Sequence, residues 1–421
     1  MMNIARKDIE LMAPAGSYEA MMAAIQGGAD AVYFGVEKLN MRSRSSFNFT
    51  LNDLRKLADI AGEKEVKTYL ALNTILYDSD LLIMRETMEA AKASGISAVI
   101  ASDQAVLEYG RQIGIEVHLS TQLNISNIES VRFYSGFADV VVLARELSLD
   151  QIRLINRAID EHEIKGPSGK LIRTELFVHG AMCMAISGKC YLSLHQYNHS
   201  ANRGECIQVC RRGYLVTESE TGKELLIDNQ YIMSPKDLCT ISFLDQILDA
   251  GIRVLKIEGR ARSPEYVKTT ARCYHEGLVA CAEGSFSEQK VAKWTEELAK
   301  VFNRGFWDGH YLGRELGEWS NVYGSKASRK KTYIGKVKNY FSRQGIAEIV
   351  AETGRLHAGD EILFTGPTTG VIEMVVEEMR IDDQQRDEIS KGDIFSLPVT
   401  EQVRRSDKLY KYIPADSMEK P

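Results

Sequence analysis

Short apolar runs alternate with amphipathic stretches through the first 285 residues of the chain. Several runs, such as AVYFGV and VVVLA, are almost continuously apolar, which is typical of parallel strands covered on both faces. The stretches between them have the one-sided apolar pattern of surface helices. Eight strands are therefore predicted, at Ile9–Ala13, Ala31–Val36, Lys67–Asn73, Ala98–Ser102, Glu116–Thr121, Val140–Ala144, Thr174–His179 and Val254–Glu258.

Helix-start signals follow several of these strands. Thr50 with Asp53 and Ser148 with Gln151 have the spacing of capping boxes, and Pro264 suits the first turn of a helix. Strands that alternate with helices make parallel neighbours, so the pattern predicts an α/β fold, an N-terminal (β/α)8 TIM-like barrel over residues 1–285. A doubly wound open sheet also fits the count of strands.

One connection in this region is much longer than the others. More than 70 residues separate the seventh strand from the eighth, and we assign residues 181–240 to an insertion. It begins at the carboxyl end of strand seven. Because the loops at that end of a barrel build the active site, the insertion is expected to contribute to one.

The pattern changes after the barrel. Ser287 to Phe302 is predicted to be helical, and residues 286–328 are assigned to a helical connector. Residues 329–421 read as short β runs separated by glycine and proline, which predicts a small antiparallel β-barrel. The segment YIGKVK through GVIE resembles the second-domain barrel of elongation factor Tu-like proteins.

Composition narrows the class of protein. Of the 421 residues, 44% are hydrophobic and 26% are charged, as in ordinary globular proteins, and the net charge of -6 argues against indiscriminate nucleic-acid coating. The chain has no apolar run long enough for a membrane span, and its N-terminus lacks the apolar core of a signal peptide. We therefore expect a cytoplasmic protein, in which thiolate ligation of a metal is more common than disulfide bonding.

Four cysteines fall within the insertion: Cys183, Cys190, Cys206 and Cys210. Thiolates gathered this way could hold a [4Fe–4S] cluster or a structural zinc ion, or they could be packed thiols without a ligand. Cys239 follows shortly after as an alternate ligand. Cys273 and Cys281 are predicted to pack on one face of a helix.

Polar residues end most of the predicted strands. Such side chains meet at one face of a barrel and are the usual source of catalytic groups, although each one alone could be a helix cap or a loop hydrogen bond. His179 is a candidate proton donor or an ordinary loop histidine. Arginines here could clamp carboxylates, or Arg145 could pair with Glu258. The catalytic candidates are Asn73, Gln122, Arg145, His179, Glu258 and Arg260.

A basic run precedes the C-terminal β pattern. Such a run is usually a solvated face, but beside a β-barrel it could follow an RNA backbone. The candidate RNA-binding residues are Lys326, Arg329, Lys330 and Lys331.

Five segments carry a resemblance to a known family: MAPAGSYEAMMAAIQGGADAVYFG, ELFVHGAMCMAISGKCYLS, SANRGECIQVCRRGY, SPKDLC and LKIEGRARSPEYV. They resemble the blocks of peptidase family U32, the collagenase-like family, and the chain is most similar to its tRNA-hydroxylating branch. The resemblance implies a [4Fe–4S] cluster on Cys183, Cys190, Cys206 and Cys210. It also implies tRNA as substrate, with prephenate as hydroxyl donor in forming 5-hydroxyuridine at the wobble position without oxygen.

Three functions stay open at this point. The first is an iron–sulfur tRNA-modifying enzyme, which would act on tRNA and a small carboxylate and could need iron–sulfur assembly or electron-donor proteins. The second is the peptidase of the family name, although the chain contains neither an HExxH zinc site nor a GxSxG nucleophile turn. The third is a non-enzymatic iron–sulfur scaffold in a modification complex.

Overall fold

The computed structural model describes residues 4–44, 48–215, 217, 220–222, 233–313, 317–322 and 324–416. Neighbouring strands of the N-terminal sheet pair in parallel in the order β1 to β7, then β9, and β9 pairs with β1 to close an eight-stranded barrel. This closure confirms the barrel and excludes the open sheet. The strands are β1 (Glu10–Pro14), β2 (Ala31–Gly35), β3 (Lys67–Leu72), β4 (Ala98–Ala101), β5 (Glu116–Leu119), β6 (Val140–Val142), β7 (Arg173–Gly180), β8 (Asp237–Cys239), β9 (Val254–Ile257) and β10 (Phe306–Trp307).

Helices follow the barrel strands as the periodicity predicts. The Thr50–Asp53 and Ser148–Gln151 capping boxes both form. Within each pair, the side chain of one residue accepts a hydrogen bond from the backbone N–H of the other. The helices are α1 (Tyr18–Gln26), α2 (Leu54–Gly62), α3 (Leu81–Ala93), α4 (Gln104–Ile113), α5 (Ile128–Tyr134), α6 (Leu149–Glu161), α7 (Leu192–Tyr197), α8 (Leu244–Asp249), α9 (Pro264–Ala282) and α10 (Glu288–Lys300).

Two short strands, β8 from the insertion and β10 from the connector, extend the sheet beside β7. Strand β8 runs antiparallel to β7, with Cys239 opposite His179, and β10 pairs in parallel with β8. Helix α7 lies earlier in the insertion, between Cys190 and Cys206. In the predicted connector, α10 is the helical part, and the extended strand β10 follows it. The domain boundaries predicted from the sequence, at residues 1–285, 286–328 and 329–421, stay predictions.

The barrel interior contains ionisable side chains as well as apolar ones. At the amino-terminal end of the strands, the Glu10 carboxylate accepts hydrogen bonds from the Lys67 ammonium at 2.7 Å and the Tyr69 hydroxyl at 2.7 Å. The Arg173 guanidinium donates a third, at 3.2 Å. Burial would raise the pKa of Glu10, but the positive charges of Lys67, His118 and Arg173 outweigh it and lower the pKa to about 2.

This carboxylate makes stability depend on pH. A pKa that is 4.5 in the unfolded chain and about 2 in the folded one stabilises the protein above pH 4.5, and the contribution disappears as the pH falls towards 2. The full contribution is on the order of 3 kcal/mol. We expect Glu10→Gln to be less stable than wild type at pH 6, and the difference to shrink below pH 4.5, as measured by urea denaturation. A pH-independent difference would contradict this assignment.

The C-terminal region is antiparallel, as predicted. Eight strands form one sheet in the order β15-β14-β20-β11-β12-β19-β16-β17, and β13 pairs with β18 in a separate ribbon. One apolar core draws residues from both sheets, among them Leu356, Ile389 and Phe395. The strands are β11 (Arg329–Phe341), β12 (Ile346–Ala351), β13 (Arg355–His357), β14 (Glu361–Gly366), β15 (Gly370–Val375), β16 (Met379–Ile381), β17 (Gln384–Arg386), β18 (Glu388–Ser390), β19 (Ile394–Pro398) and β20 (Lys408–Pro414).

This region packs on the outside of the barrel, against α1 and α9. The Gln26 side chain donates to the Thr369 carbonyl at 2.9 Å and accepts from the Val371 N–H at 2.9 Å. Lys268 of α9 donates to the Val371 carbonyl at 2.7 Å. Side chains of α1 and α9 thus supply donors and acceptors to strand β15.

Candidate functional site

The four cysteines of the insertion and the strand-end residues line a single cavity at the carboxyl end of the barrel. Barrel strands supply one wall, and the insertion supplies the other. The cavity lining includes Tyr33, Arg42, Asn73, Ser120, Gln122, Arg145, Phe177, Cys183, Cys190, Cys206, Cys210, Arg211, Lys256, Glu258 and Arg260. Five of the six catalytic candidates predicted from the strand ends therefore line the same cavity.

All four cysteines are free thiols, and Cys183 is the exposed one. Burial raises the pKa of the Cys210 thiol to about 11; Arg211 lowers it, and the charges of Cys183, Cys206 and Cys190 raise it further. Negative sulfurs held this near to one another repel, so the set fits a positively charged group that takes several thiolates. Within the described ranges, no three His, Cys, Asp or Glu side chains are close enough to hold a single metal ion.

A partly buried ion pair lines the cavity. The Arg42 guanidinium donates to the Glu258 carboxylate, and the Tyr33 hydroxyl lies 3.2 Å from the other carboxylate oxygen. Burial would raise the pKa of Glu258, but the charge and hydrogen bond of Arg42, with Arg145 and Arg260, lower it to about 2. Glu258 is thus a fixed anion at neutral pH and not a general acid. The alternative pairing of Arg145 with Glu258 does not form, because Arg42 from the loop after β2 makes the ion pair with that carboxylate.

Two further arginines face the same space. Arg260 is buried and donates to the Asn40 side chain at 2.9 Å; burial lowers its pKa to about 10, which leaves it charged. Arg145 stacks on the Phe177 ring, 3.9 Å from its centroid, and donates to the Ala181 carbonyl at 3.1 Å. Its Nε atom is buried without a hydrogen-bond partner among the described residues. This atom could donate to a ligand oxygen.

Neutral polar side chains line the part of the cavity that is formed by the ends of β3 and β5. Asn73 donates to the Ser120 hydroxyl at 3.2 Å, and the Ser120 hydroxyl donates to Gln122. The Asn73 side-chain oxygen accepts from the Met41 N–H at 3.1 Å. The cavity therefore combines fixed cations with an amide and hydroxyl network, which suits a ligand that is partly anionic and partly a neutral hydrogen-bonding ring.

Comparison with known proteins identifies the family of the chain that forms this cavity. The sequence profile of peptidase family U32 matches residues 16–321, well over half of the chain. The chain belongs to peptidase family U32. The matched segment contains all four cysteines of the cavity.

Relatives of this U32 chain carry two kinds of name. It is 59% identical over 405 residues to a protein named collagenase from Porphyromonas gingivalis, across 96% of this chain and 98% of that one. It is 33% identical over 387 residues to tRNA hydroxylation protein P1 of Bacillus subtilis, across 88% of each chain. It is also 35% identical over 315 residues to a 23S rRNA 5-hydroxycytidine synthase of Escherichia coli, across 73% of this chain and 46% of that one.

Two predicted residues of the U32 chain lie away from the cavity. His179 packs among the rings of Tyr266, Tyr274 and Phe306, and burial, with the charge of Arg262, lowers its pKa to about 3. His179 therefore lies among aromatic rings outside the cavity lining, and its catalytic role stays a prediction. Cys239 is similarly buried, with the Tyr274 hydroxyl 4.0 Å from its sulfur. Cys239 is therefore not placed with the other four thiols.

The predicted RNA-binding cations are largely engaged within the fold. Arg329 pairs with Glu361 at 2.9 Å and with Glu373 at 2.7 Å, while Lys331 pairs with Glu265 of α9 at 2.8 Å. The Lys330 ammonium lies 3.3 Å from the Ala415 carbonyl. Lys326 is exposed. The basic run contains no acid, but neighbouring strands and α9 bring acids to it, and its binding to RNA stays a prediction.

Sequence reasoning missed two residues that line the cavity, Lys256 and Tyr33. The Lys256 ammonium donates to Glu175 at 2.8 Å inside the barrel, and both side chains are at most 5% exposed. It also lies 4.9 Å from the centroid of the Tyr33 ring. A lysine inside the apolar run VLKI was the available signal, since charged residues are rarely buried unless they are paired.

One further finding concerns membranes. In the part of the chain that the structure describes, no helix is both long enough and apolar enough to cross a bilayer.

Proposed function

We propose that this U32 protein is an iron–sulfur tRNA-modifying enzyme that hydroxylates the wobble uridine to 5-hydroxyuridine without oxygen. The observation that carries the proposal is that four free cysteines line the same cavity as the polar strand ends of the barrel. The names of the tRNA- and rRNA-hydroxylating relatives support the substrate class.

Cys183, Cys190, Cys206 and Cys210 would hold a [4Fe–4S] cluster. A [4Fe–4S] cluster takes a thiolate at each of its four irons, and four cysteines line this one cavity. When bound, the cluster supplies iron centres for electron transfer or Lewis-acid chemistry beside the cavity. Iron–sulfur assembly or electron-donor proteins would then be partners.

The arginines would bind a small carboxylate, with prephenate as the possible hydroxyl donor. Guanidinium groups match carboxylates in a bidentate geometry, and Arg145 has a buried Nε atom that is available for such a bond. Arg260 is held at the cavity by Asn40 and remains charged. The single carboxylate of Glu258 is already paired with Arg42, which leaves positive charge for an anionic ligand.

The amide network would orient the base. A base must leave its stack to reach a pocket at a barrel mouth, and such enzymes bind the extruded base through hydrogen bonds and ring contacts. Asn73 and Gln122 provide amide groups on one side, and the Phe177 ring lines the other. A uracil ring presents both donors and acceptors on its edge, so it can bond amide side chains of either orientation.

Anaerobic reconstitution tests the proposal directly. Protein with its cluster, unmodified tRNA and prephenate should yield 5-hydroxyuridine in a nucleoside mass-spectrometric assay. Formation in a cell extract but not with the purified protein would favour the scaffold function. No product in either mixture would contradict a role in hydroxylation.

One observation favours the peptidase function as a second candidate. Cys183 and His310 both line a neighbouring cavity of about 270 Å³, and a thiol nucleophile works with a histidine base that lies within hydrogen-bond reach. Hydrolysis of gelatin that is lost in Cys183→Ala and in His310→Ala would support it. Such a nucleophile would compete with the proposed cluster for the same sulfur.

A further inference from the structure

Three exposed tyrosines lie on segments that follow the carboxyl ends of barrel strands β3 and β7. Tyr77, Tyr191 and Tyr197 are 59%, 77% and 42% exposed, and in the described part of the chain they are the tyrosines with this degree of exposure. Tyr77 lies on the loop after β3, and the other two lie in the insertion. Other exposed rings, such as Phe133 of α5, lie elsewhere, but these three tyrosines all follow β3 or belong to the insertion, which makes that end of the barrel a candidate binding surface.

Arginines accompany these rings. The Arg203 guanidinium lies 4.0 Å from the centroid of Tyr77 and is held there by Asp80, and the Arg212 guanidinium lies 5.3 Å from the centroid of Tyr197. We call Tyr77, Tyr191, Tyr197, Arg44, Arg203 and Arg212 the tyrosine–arginine rim.

An outer cavity of about 600 Å³ opens beside the inner one. Its walls include Arg44, Arg211, Arg212 and Arg304, with Glu205 as the acidic side chain among its described lining residues. Arg44 lies 3.8 Å from Glu205 and Arg304 pairs with Asp237 at 3.2 Å, whereas Arg211 donates to the uncharged oxygens of Ser234, Pro235 and Met182. The outer cavity is therefore suited to an anion.

The two cavities share a wall. Cys206, Gln208 and Arg211 line both of them. A ligand could therefore place a neutral ring in the inner cavity and its anionic neighbours in the outer one. A polymer with a phosphate on each side of every base has this distribution of charge, and single-stranded nucleic acids bind to surfaces that combine stacking rings with cations.

We propose that the tyrosine–arginine rim, with the outer cavity, binds the single-stranded RNA that flanks the target base. The inference rests on the proposed function and moves the RNA from the C-terminal basic run to the barrel mouth. Bases next to the target stack on Tyr77 and Tyr197, while Arg44 and Arg212 contact phosphates. The cations at the start of β11 instead pair with acids of the fold.

Binding of unmodified transcribed tRNA to the full-length, anaerobically purified protein tests this surface. Fluorescence anisotropy at several salt concentrations gives the affinity and its salt dependence. We expect Tyr77→Ala and Tyr197→Ala each to weaken binding by about fivefold to 150-fold, since a stacked base contributes ~1–3 kcal/mol. Tyr77→Phe should retain binding because it keeps the ring. Arg44→Gln should lower the salt slope by about one.

Control variants separate this inference from the proposed function. Phe133→Ala removes an exposed ring from α5, on the flank of the barrel, and should leave the affinity unchanged. Iron content and circular dichroism establish that each variant is folded. Unchanged affinity in the rim variants, with weaker binding in Lys326→Gln/Lys330→Gln, would overturn the inference and leave the function standing. Failure of the wild-type protein to bind tRNA would overturn the proposed function as well.

Discussion

Replacing Cys206 and Cys210 together with alanine is expected to remove the iron from the protein. Anaerobically purified wild-type protein should be brown and contain about four irons per chain, with absorbance near 400 nm. The double variant should be colourless, because two thiolates cannot retain a cluster built on four. Cys183→Ala/Cys190→Ala should behave in the same way, since these sulfurs line the same cavity.

Cysteines elsewhere in the chain provide matched controls. Cys239→Ala removes a buried thiol beside Tyr274, and Cys281→Ala removes a half-buried thiol of α9. Both should retain about four irons, because neither sulfur lines the cavity. Loss of iron from Cys239→Ala alone would show that the ligand set is wrong. One zinc ion per wild-type chain, with no iron, would contradict the iron–sulfur assignment altogether.

Lys256→Met is expected to destabilise the fold by ~3–5 kcal/mol, because it leaves the Glu175 carboxylate buried without its positive partner. Neither side chain of this pair is more than 5% exposed. One oxygen of Glu175 lacks a hydrogen bond within the described residues, and a ring nitrogen of His118 lies 4.0 Å from it. Guanidinium denaturation followed by circular dichroism measures the change.

The double variant Lys256→Met/Glu175→Met is the informative comparison. Removing both charges leaves apolar side chains of similar volume, so most of the lost stability should return. Asp59→Ala breaks the solvent-exposed Arg55–Asp59 pair of α2 and should change stability by less than ~1 kcal/mol. If the double variant is as unstable as Lys256→Met, the cost comes from lost packing and not from an unpaired charge.

The barrel was predictable because its determinants are local. Each of the eight apolar runs became one barrel strand, and two capping boxes formed at the expected helix starts. The cysteines could be assigned to the barrel mouth because Cys183 follows closely on the carboxyl end of β7. Continuous apolar runs, cap residues and connection length all act over a few residues, so the sequence displays them directly.

Charge partners were not predictable because they are set by long-range packing. Arg42 and Glu258 are 216 residues apart, and the loop after β2 decides that Arg42 rather than Arg145 reaches the carboxylate. The same holds for Lys331, which finds Glu265 on another element. His179 ends its strand as expected, but the added strand β8 and the rings of α9 cover it. None of these contacts leaves a local signature in the sequence.

The most direct test of the central claim is the 5-hydroxyuridine content of tRNA from a strain that lacks this gene, measured by nucleoside mass spectrometry. The account predicts that the modification is lost, that the wild-type gene restores it, and that the Cys206→Ala/Cys210→Ala gene does not. Unchanged 5-hydroxyuridine in the deletion strain, or full restoration by the cysteine variant, would contradict the account.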